Sequence, residues 1–509
     1  MMKPALLKIQ DLQIHAGSNS LVHLPNLQLE SGEMHGVVGE SGSGKSITLF
    51  VIMGLISNQL KVSGSVQFEG IELVGLQDDV WQTLRGKRIG MVFQEPMSAL
   101  NPQMKCGKQL MESAMIHEPN EAIAKEKVYR KLDQMGLGEI KERILTSYPH
   151  QLSGGQRQRV MIAMACVHEP PLILADEPTT ALDSLARQQV MADLQRVCKE
   201  QGSALLWVSH ELDLVKQYAE SVTVLRRGIC VTQGKCAEVF SDQVHGYVRE
   251  LLNAMPKGVW VSPIDSDVPV LEIKNLTKEY GEKSNRVKAL LQFNEVLLQG
   301  ETLSVVGLSG SGKSTLAKLL VALELPTAGE MLLNQRDLSK RPPTGIQMVF
   351  QDPYSSLNPN AKAIDAVLEV VEWLSGNKGR AMVGRTTIKM NAKSEQREKA
   401  LSLLEEVGFD LRLSEAYPHQ MSGGQRQRLC IARALASEPK VLILDEAVAA
   451  LDPLVQKLVL EMLLDLQKTR GLSYVFITHN LEVARAISHR IIYLEKGEKK
   501  ALPEEWMRV

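Results

Sequence analysis

The sequence predicts an α/β protein made of two tandem copies of one module. Each copy has a β-rich opening, a core on a parallel sheet and an inserted helical subdomain. Three observations carry this expectation. Several motifs occur twice in the same order, at a period far too long for a solenoid. Short, purely apolar runs such as LILA at 172–175 and ALLWVS at 204–209 have the character of strands buried on both faces. A Gly-rich loop follows an apolar strand-like stretch in each half.

The repeat defines the modules. GESGSGKS at 39–46 returns as GLSGSGKS at 307–314, and MVFQEPMSALNP at 91–102 returns as MVFQDPYSSLNP at 348–359. YPHQLSGGQRQR at 148–159 returns as YPHQMSGGQRQR at 417–428. Asp176-Glu177 matches Asp445-Glu446, and His210 matches His479, each 269 residues on. VLEIKNLTKEY at 270–280 mirrors LLKIQDLQIHA at 6–16, which places a first domain at 1–256, a linker at 257–269 and a second domain at 270–509. The linker is turn-rich and polar, from Pro256-Lys-Gly to Pro269. Within the first copy, LKIQDLQI and MHGVVG read as strands, a helix starts at Lys45, and residues from about 103 to 165 have helical spacing.

Composition narrows the function classes. The 509 residues are 44% hydrophobic and 23% charged, and 58 Lys+Arg against 59 Asp+Glu leave a net charge of -1. That balance argues against a broadly basic nucleic-acid surface. Six cysteines with no CxxC pair argue against a disulfide scaffold and for a reducing compartment. The start, MMKPALLKIQDLQ, lacks the apolar core of a secretory signal. No apolar run approaches the roughly 18 to 20 residues that span a bilayer. The chain is therefore expected neither to cross a membrane nor to be exported.

Gly39, Ser41, Gly42, Gly44, Lys45 and Ser46 form a nucleotide-triphosphate loop, and Gly307, Ser309, Gly310, Gly312, Lys313 and Ser314 form a second. Small residues let successive backbone N–H groups face a phosphate at the start of a helix. Lysine reaches the β- and γ-phosphates of ATP, and the serine hydroxyl can ligate Mg2+. Two acids end each buried run: Asp176 and Asp445 to hold Mg2+, Glu177 and Glu446 to polarise the attacking water. His210 and His479 also end strands and are expected to contact the γ-phosphate. Ser153 and Ser422 read as helix N-caps, and the glycines after them, including Gly155 and Gly424, allow another surface to come close.

Walker A, Q-loop, LSGGQ signature, Walker B, D-loop (Ala181-Leu182-Asp183; Ala450-Leu451-Asp452) and switch histidine thus follow one another twice. Over nearly its full length the chain resembles the ATP-binding cassette (ABC) ATPases, which are P-loop NTPases with a RecA-like core. The resemblance implies that two cassettes meet head to tail. Lys45, Asp176 and Glu177 would then share a site with Ser422 and Gly424, and Lys313, Asp445 and Glu446 with Ser153 and Gly155. It adds Gln94 and Gln351 as nucleotide and metal contacts, beside Ser46 with Asp176 and Ser314 with Asp445. It makes Tyr280 the adenine-stacking aromatic of the second copy, with His15 as the nearest equivalent in the first.

Within this family the peptide/nickel importer branch is the most similar. FQEPMSALNP and FQDPYSSLNP resemble its Q-loops, YPHQ precedes the signature, and residues 239–256 resemble its HPYT-type C-terminal element. This implies two integral-membrane permease partners, an extracytoplasmic substrate-binding protein and peripheral residence on the cytoplasmic face of the inner membrane, with no nucleic acid bound. The alternative is a soluble tandem cassette acting on ribosomes or DNA. Cys230 and Cys236 are expected to be ordinary buried thiols rather than cluster ligands. The stretch 376–397, rich in Lys and Arg, is expected to be a solvated loop, or else a contact for anionic lipid or a permease loop.

Overall fold

The computed structural model describes residues 5–180, 182–241, 245–264, 266–281, 286–338, 345–378, 387–449 and 451–503. Ala181, Ala450 and 242–244 of the HPYT-type element lie outside these residues, as does 379–386 of the basic stretch, and no side chain from 376 to 393 is described. The described backbone of that stretch is helical rather than the expected loop, since it belongs to the helices Ala363–Lys378 and Thr387–Glu406. Contacts divide the chain into two units, Met1–Asn253 and Ala254–Val509.

In the first unit Met34–Gly39 is flanked in parallel by Ala204–Ser209 and Ser221–Arg226. Leu172–Asp176 and then Ile89–Val92 continue the parallel sheet beyond Ala204–Ser209. Every residue of Met34–Gly39, Leu172–Asp176 and Ala204–Ser209 is buried, which is why these runs carry no polar alternation. The opening strand Leu7–Ala16 pairs antiparallel with Asn19–Leu29 and Leu60–Phe68, burying Leu7, Ile9, Leu12 and Ile14. A single bridge from His23 to Ile229 joins this layer to the core, making one sheet of ten strands. The helical insertion runs through Cys106–Met115, Glu121–Gln134, Lys141–Thr146 and Gly154–Cys166.

The second unit repeats the plan. Thr302–Val306 lies between Ser473–Thr478 and Arg490–Glu495, with Val441–Asp445 and Ile346–Val349 beyond. Its antiparallel layer is a separate sheet of four strands. The same core position is solved differently in the two units. In the first, buried His35 joins Ser221 Oγ and Thr223 Oγ1 at 2.6 and 2.8 Å. In the second, Leu303 stands at the position of His35, and Arg490 instead binds the buried carboxylates of Glu295 and Glu301.

The stretch read as a linker lies along the second unit. Trp260 N–H donates to Ala486 O at 2.7 Å. Thr302 N–H donates to His489 Nδ1 at 2.9 Å, so His489 Nε2–H is left to donate to Ser262 O at 3.0 Å.

Candidate active sites

Each phosphate loop links a buried strand to a helix, Lys45–Ile52 in the first unit and Lys313–Leu320 in the second. Its glycines answer two different demands. Gly39 and Gly307 are packed so tightly that an added Cβ would lie 2.1 Å from Leu225 O and 2.3 Å from Leu494 O. Gly42 and Gly310 have open space around them but left-handed backbones, with φ of 78° and 77°. The lysines are buried and turned onto the loop itself. Lys45 Nζ donates to Gly39 O and Glu40 O, both at 2.8 Å, and Lys313 Nζ to Gly307 O and Leu308 O, also at 2.8 Å. Ser41 and Ser309 are exposed on the loops, while Gly44 and Gly312, both in the left-handed region, cap the helices.

The acids stand at the carboxyl ends of the strands next but one to those that enter the phosphate loops. Ser46 Oγ–H donates to Asp176 Oδ1 at 2.8 Å, tying loop to strand. Burial, chiefly, pushes Asp176 and Asp445 up to about 6, and the adjoining glutamate adds to the effect in each. Glu177 and Glu446 sit in the left-handed region, φ 43° and 48°, each anchored by a backbone bond, to Val208 O and Ile477 O at 3.0 and 2.9 Å. Such strain in a non-glycine residue persists where the surroundings hold it, and it is concentrated at functional sites.

Three donors converge on Glu177 Oε2: Gln94 Nε2 at 3.1 Å, Thr180 Oγ1 at 2.9 Å and His210 Nδ1 at 3.2 Å. Burial opposes ionisation of Glu177, yet the His210 hydrogen bond and charge, then the Thr180 bond, bring it down to about 2. His210 is raised in turn: burial opposes its protonation, but the bond to Glu177 and the charges of Glu177 and Glu211 together outweigh it. In the second unit Gln351 Nε2 donates to Glu446 Oε2 at 2.7 Å, and His479 Nδ1 lies 3.4 Å from Glu446 Oε1.

The expected loop, acid, glutamine and histidine residues are thus brought together within each unit. Ser153 and Ser422 cap the helices Gly154–Cys166 and Gly423–Leu435 as expected. The spacing also hides a second bond. Gln156 and Gln425 reach back to the cap residue's N–H, completing reciprocal capping boxes that the pattern S-x-x-Q could have announced. Tyr280 ends its strand with the Lys278 ammonium 5.0 Å from its ring centre and its hydroxyl bonded to Glu324. His15 lies within the opening sheet, paired with Ser20 and Lys61. Burial raises both thiols, Cys236 to about 11, though Cys230 is only partly buried.

The donor set suits a divalent cation. Hydroxyl, amide and carboxylate oxygens gather beside each phosphate loop, and Asp445 Oδ1 is buried without a hydrogen-bond partner among the described residues. No group of three or more His, Cys, Asp or Glu side chains with metal-binding geometry occurs among the described residues. No helix among them is long and apolar enough to cross a membrane.

These paired sites define a nucleotide-hydrolysing cassette protein. Residues 22–180 and 290–449 match the family described as ABC transporter, and the chain belongs to that family. It is 38% identical over 519 residues to the uncharacterized ABC transporter ATP-binding protein YejF of Escherichia coli, covering 98% of this chain and 95% of that protein. It is 36% identical over 543 residues to the glutathione import ATP-binding protein GsiA of Escherichia coli, covering 96% and 83%. A solved structure titled RNase-L Inhibitor matches with a TM-score of 0.61 at 20% identity, covering 98% of this chain and 92% of that one, a likeness of fold. The chain is an ATP-binding ATPase of the ABC class.

Proposed function

We propose that the chain is the energising subunit of a bacterial importer for peptides, glutathione-like compounds, or nickel and other metal chelates. Similarity to a glutathione import protein along 96% of the chain is the observation that carries this reading. The partners are two integral-membrane permeases and an extracytoplasmic binding protein. The chain resides on the cytoplasmic face of the inner membrane through those permeases. Domains at 1–256 and 270–509 are the two cassettes. By the family resemblance, the signature residues Ser422 and Gly424 complete the site of Lys45, and Ser153 and Gly155 that of Lys313. The adenine rests on Tyr280 in the second copy and near His15 in the first.

The chemistry follows from the residues. Lys45 Nζ and Lys313 Nζ exchange their loop carbonyls for phosphate oxygens when ATP enters. Ser46, Gln94 and Asp176, and Ser314, Gln351 and Asp445, would hold Mg2+, which when bound supplies positive charge against the phosphates. Glu177 and Glu446 accept the proton of the water whose oxygen forms the new bond to the γ-phosphorus as the bond to ADP breaks. His210 and His479 fix these carboxylates and face the γ-phosphate.

A tandem cassette acting on ribosomes or DNA is the competing reading. The near-zero net charge speaks against it, and the RNase-L Inhibitor likeness at 20% identity concerns fold alone. The deciding experiment is purification of the chain from mild-detergent membranes. Co-purification of permeases and a binding protein supports import, whereas co-sedimentation with ribosomes overturns it. A ligand screen on the co-purified binding protein then identifies the substrate.

A further inference from the structure

The turn after each catalytic glutamate closes identically in the two units, yet its side chains differ. Thr180 N–H donates to Glu177 O at 3.1 Å, and Ala449 N–H donates to Glu446 O at 3.1 Å. The backbone alone therefore makes this turn, and it does so with an alanine at the Thr180 position. In the first unit a hydroxyl is added, and Thr180 Oγ–H is spent on Glu177 Oε2 at 2.9 Å.

A brace lies behind it. Thr179 Oγ1–H donates to Glu211 Oε1 at 3.0 Å, and Arg187 Nη1 binds Glu211 Oε2 at 2.8 Å while its Nε donates to Leu182 O at 2.9 Å. Glu211 follows the switch residue His210, and Leu182 belongs to the D-loop, so the pair fastens three segments around one carboxylate. All three side chains are changed in the second copy, to Val448, Asn480 and Gln456, each 269 residues on. There Gln456 Nε2 donates to the Val448 carbonyl at 3.0 Å, and Asn480 Oδ1 caps the following helix by accepting from Val483 N–H at 3.1 Å.

We infer that Thr180 is a positioning residue that orients Glu177 in the first ATP site, braced through Thr179, Glu211 and Arg187. This rests on the assignment of Glu177 and Glu446 as general bases. A carboxylate held by an additional fixed donor spends more of its time with the accepting oxygen aimed at the water, and this acts on the chemical step rather than on nucleotide binding.

The test is steady-state ATP hydrolysis by the full chain with its co-purified permeases. Thr180→Ala is expected to lower kcat to half or less while KM for ATP stays within about twofold, and Thr180→Ser to restore kcat. Unchanged kcat in Thr180→Ala, or a Thr180→Ser variant as slow as Thr180→Ala, overturns the positioning role. Wild-type turnover in Glu177→Gln removes the general base itself, a separate failure from normal turnover in Thr180→Ala alone.

Discussion

His210 Nδ1 stands 3.2 Å from Glu177 Oε2, and the pair recurs as His479 and Glu446 at 3.4 Å. The imidazole stabilises the ionised carboxylate, the form that can accept a proton. Loss of a general base costs about 10²–10⁴ in rate. Glu177→Gln and Glu446→Gln are each expected to impair hydrolysis, and the double variant to suppress it while ATP still binds. Nucleotide-binding titration beside a phosphate-release assay checks both halves; near-wild-type turnover in the double variant contradicts the assignment.

His35 makes stability depend on pH. Burial, opposed weakly by Glu33, holds its pKa at about 4, below the ordinary 6.5. The unfolded chain therefore takes up the proton first as pH falls. The contribution is fully present above about pH 6.5 and is lost progressively down to pH 4, a total on the order of 3 kcal/mol. His35→Leu, the residue the second copy uses, should flatten this dependence. Urea unfolding at pH 7 and pH 5 measures it; an equally steep dependence in the variant places the effect elsewhere.

Arg490 is the corresponding device of the second unit. Its guanidinium bonds Glu301, which is 0% exposed, and Glu295, which keeps Lys499 at 2.7 Å as another partner. Arg490→Met leaves the buried Glu301 carboxylate with the Leu298 N–H at 2.7 Å but no countercharge from Arg490. Because Arg490 is 43% exposed, the cost is expected to be about 1–3 kcal/mol, below that of breaking a fully buried pair. The double variant Arg490→Met/Glu301→Gln should recover part of that loss, as read by thermal denaturation.

The signature helices are unequally tolerant. An added Cβ at Gly424 would lie 2.3 Å from Val455 Cγ1, while at Gly155 it would meet Ala186 Cβ at an ordinary 3.5 Å. Gly424→Ala is expected to destabilise its unit by about 1–3 kcal/mol, and Gly155→Ala far less. Comparing the two melting profiles decides it, and equal shifts contradict the packing argument.

Much of each site was legible in the chain because its chemistry is local. A phosphate loop works through consecutive backbone amides, and Ser153 caps its helix through a residue three positions on, so order and spacing suffice to find them. Thr180 escaped because a threonine after E-P-T reads as an ordinary turn residue. The exchange of Thr179 for Val448 is visible as a departure that spares the acids, but nothing in the chain says that Glu211 and Arg187 depend on it. Trp260 and Ser262 likewise lie in a polar, proline-rich stretch whose partners, Ala486 and His489, are more than 200 residues away.

The sequence by itself determined the duplication and the α/β class and pointed to the residues proposed to handle nucleotide, since repeats, burial patterns and phosphate loops are written within short windows. Only the tertiary structure decided how Glu177 and Glu446 are held: their left-handed backbones, the three donors on Glu177 Oε2 and the Arg187–Glu211 brace. The physical reason is that a hydrogen bond depends on distance in space to within a few tenths of an ångström. Residues separated by 24 positions, like Arg187 and Glu211, or by 83, like Gln94 and Glu177, acquire that distance only when strands and helices pack.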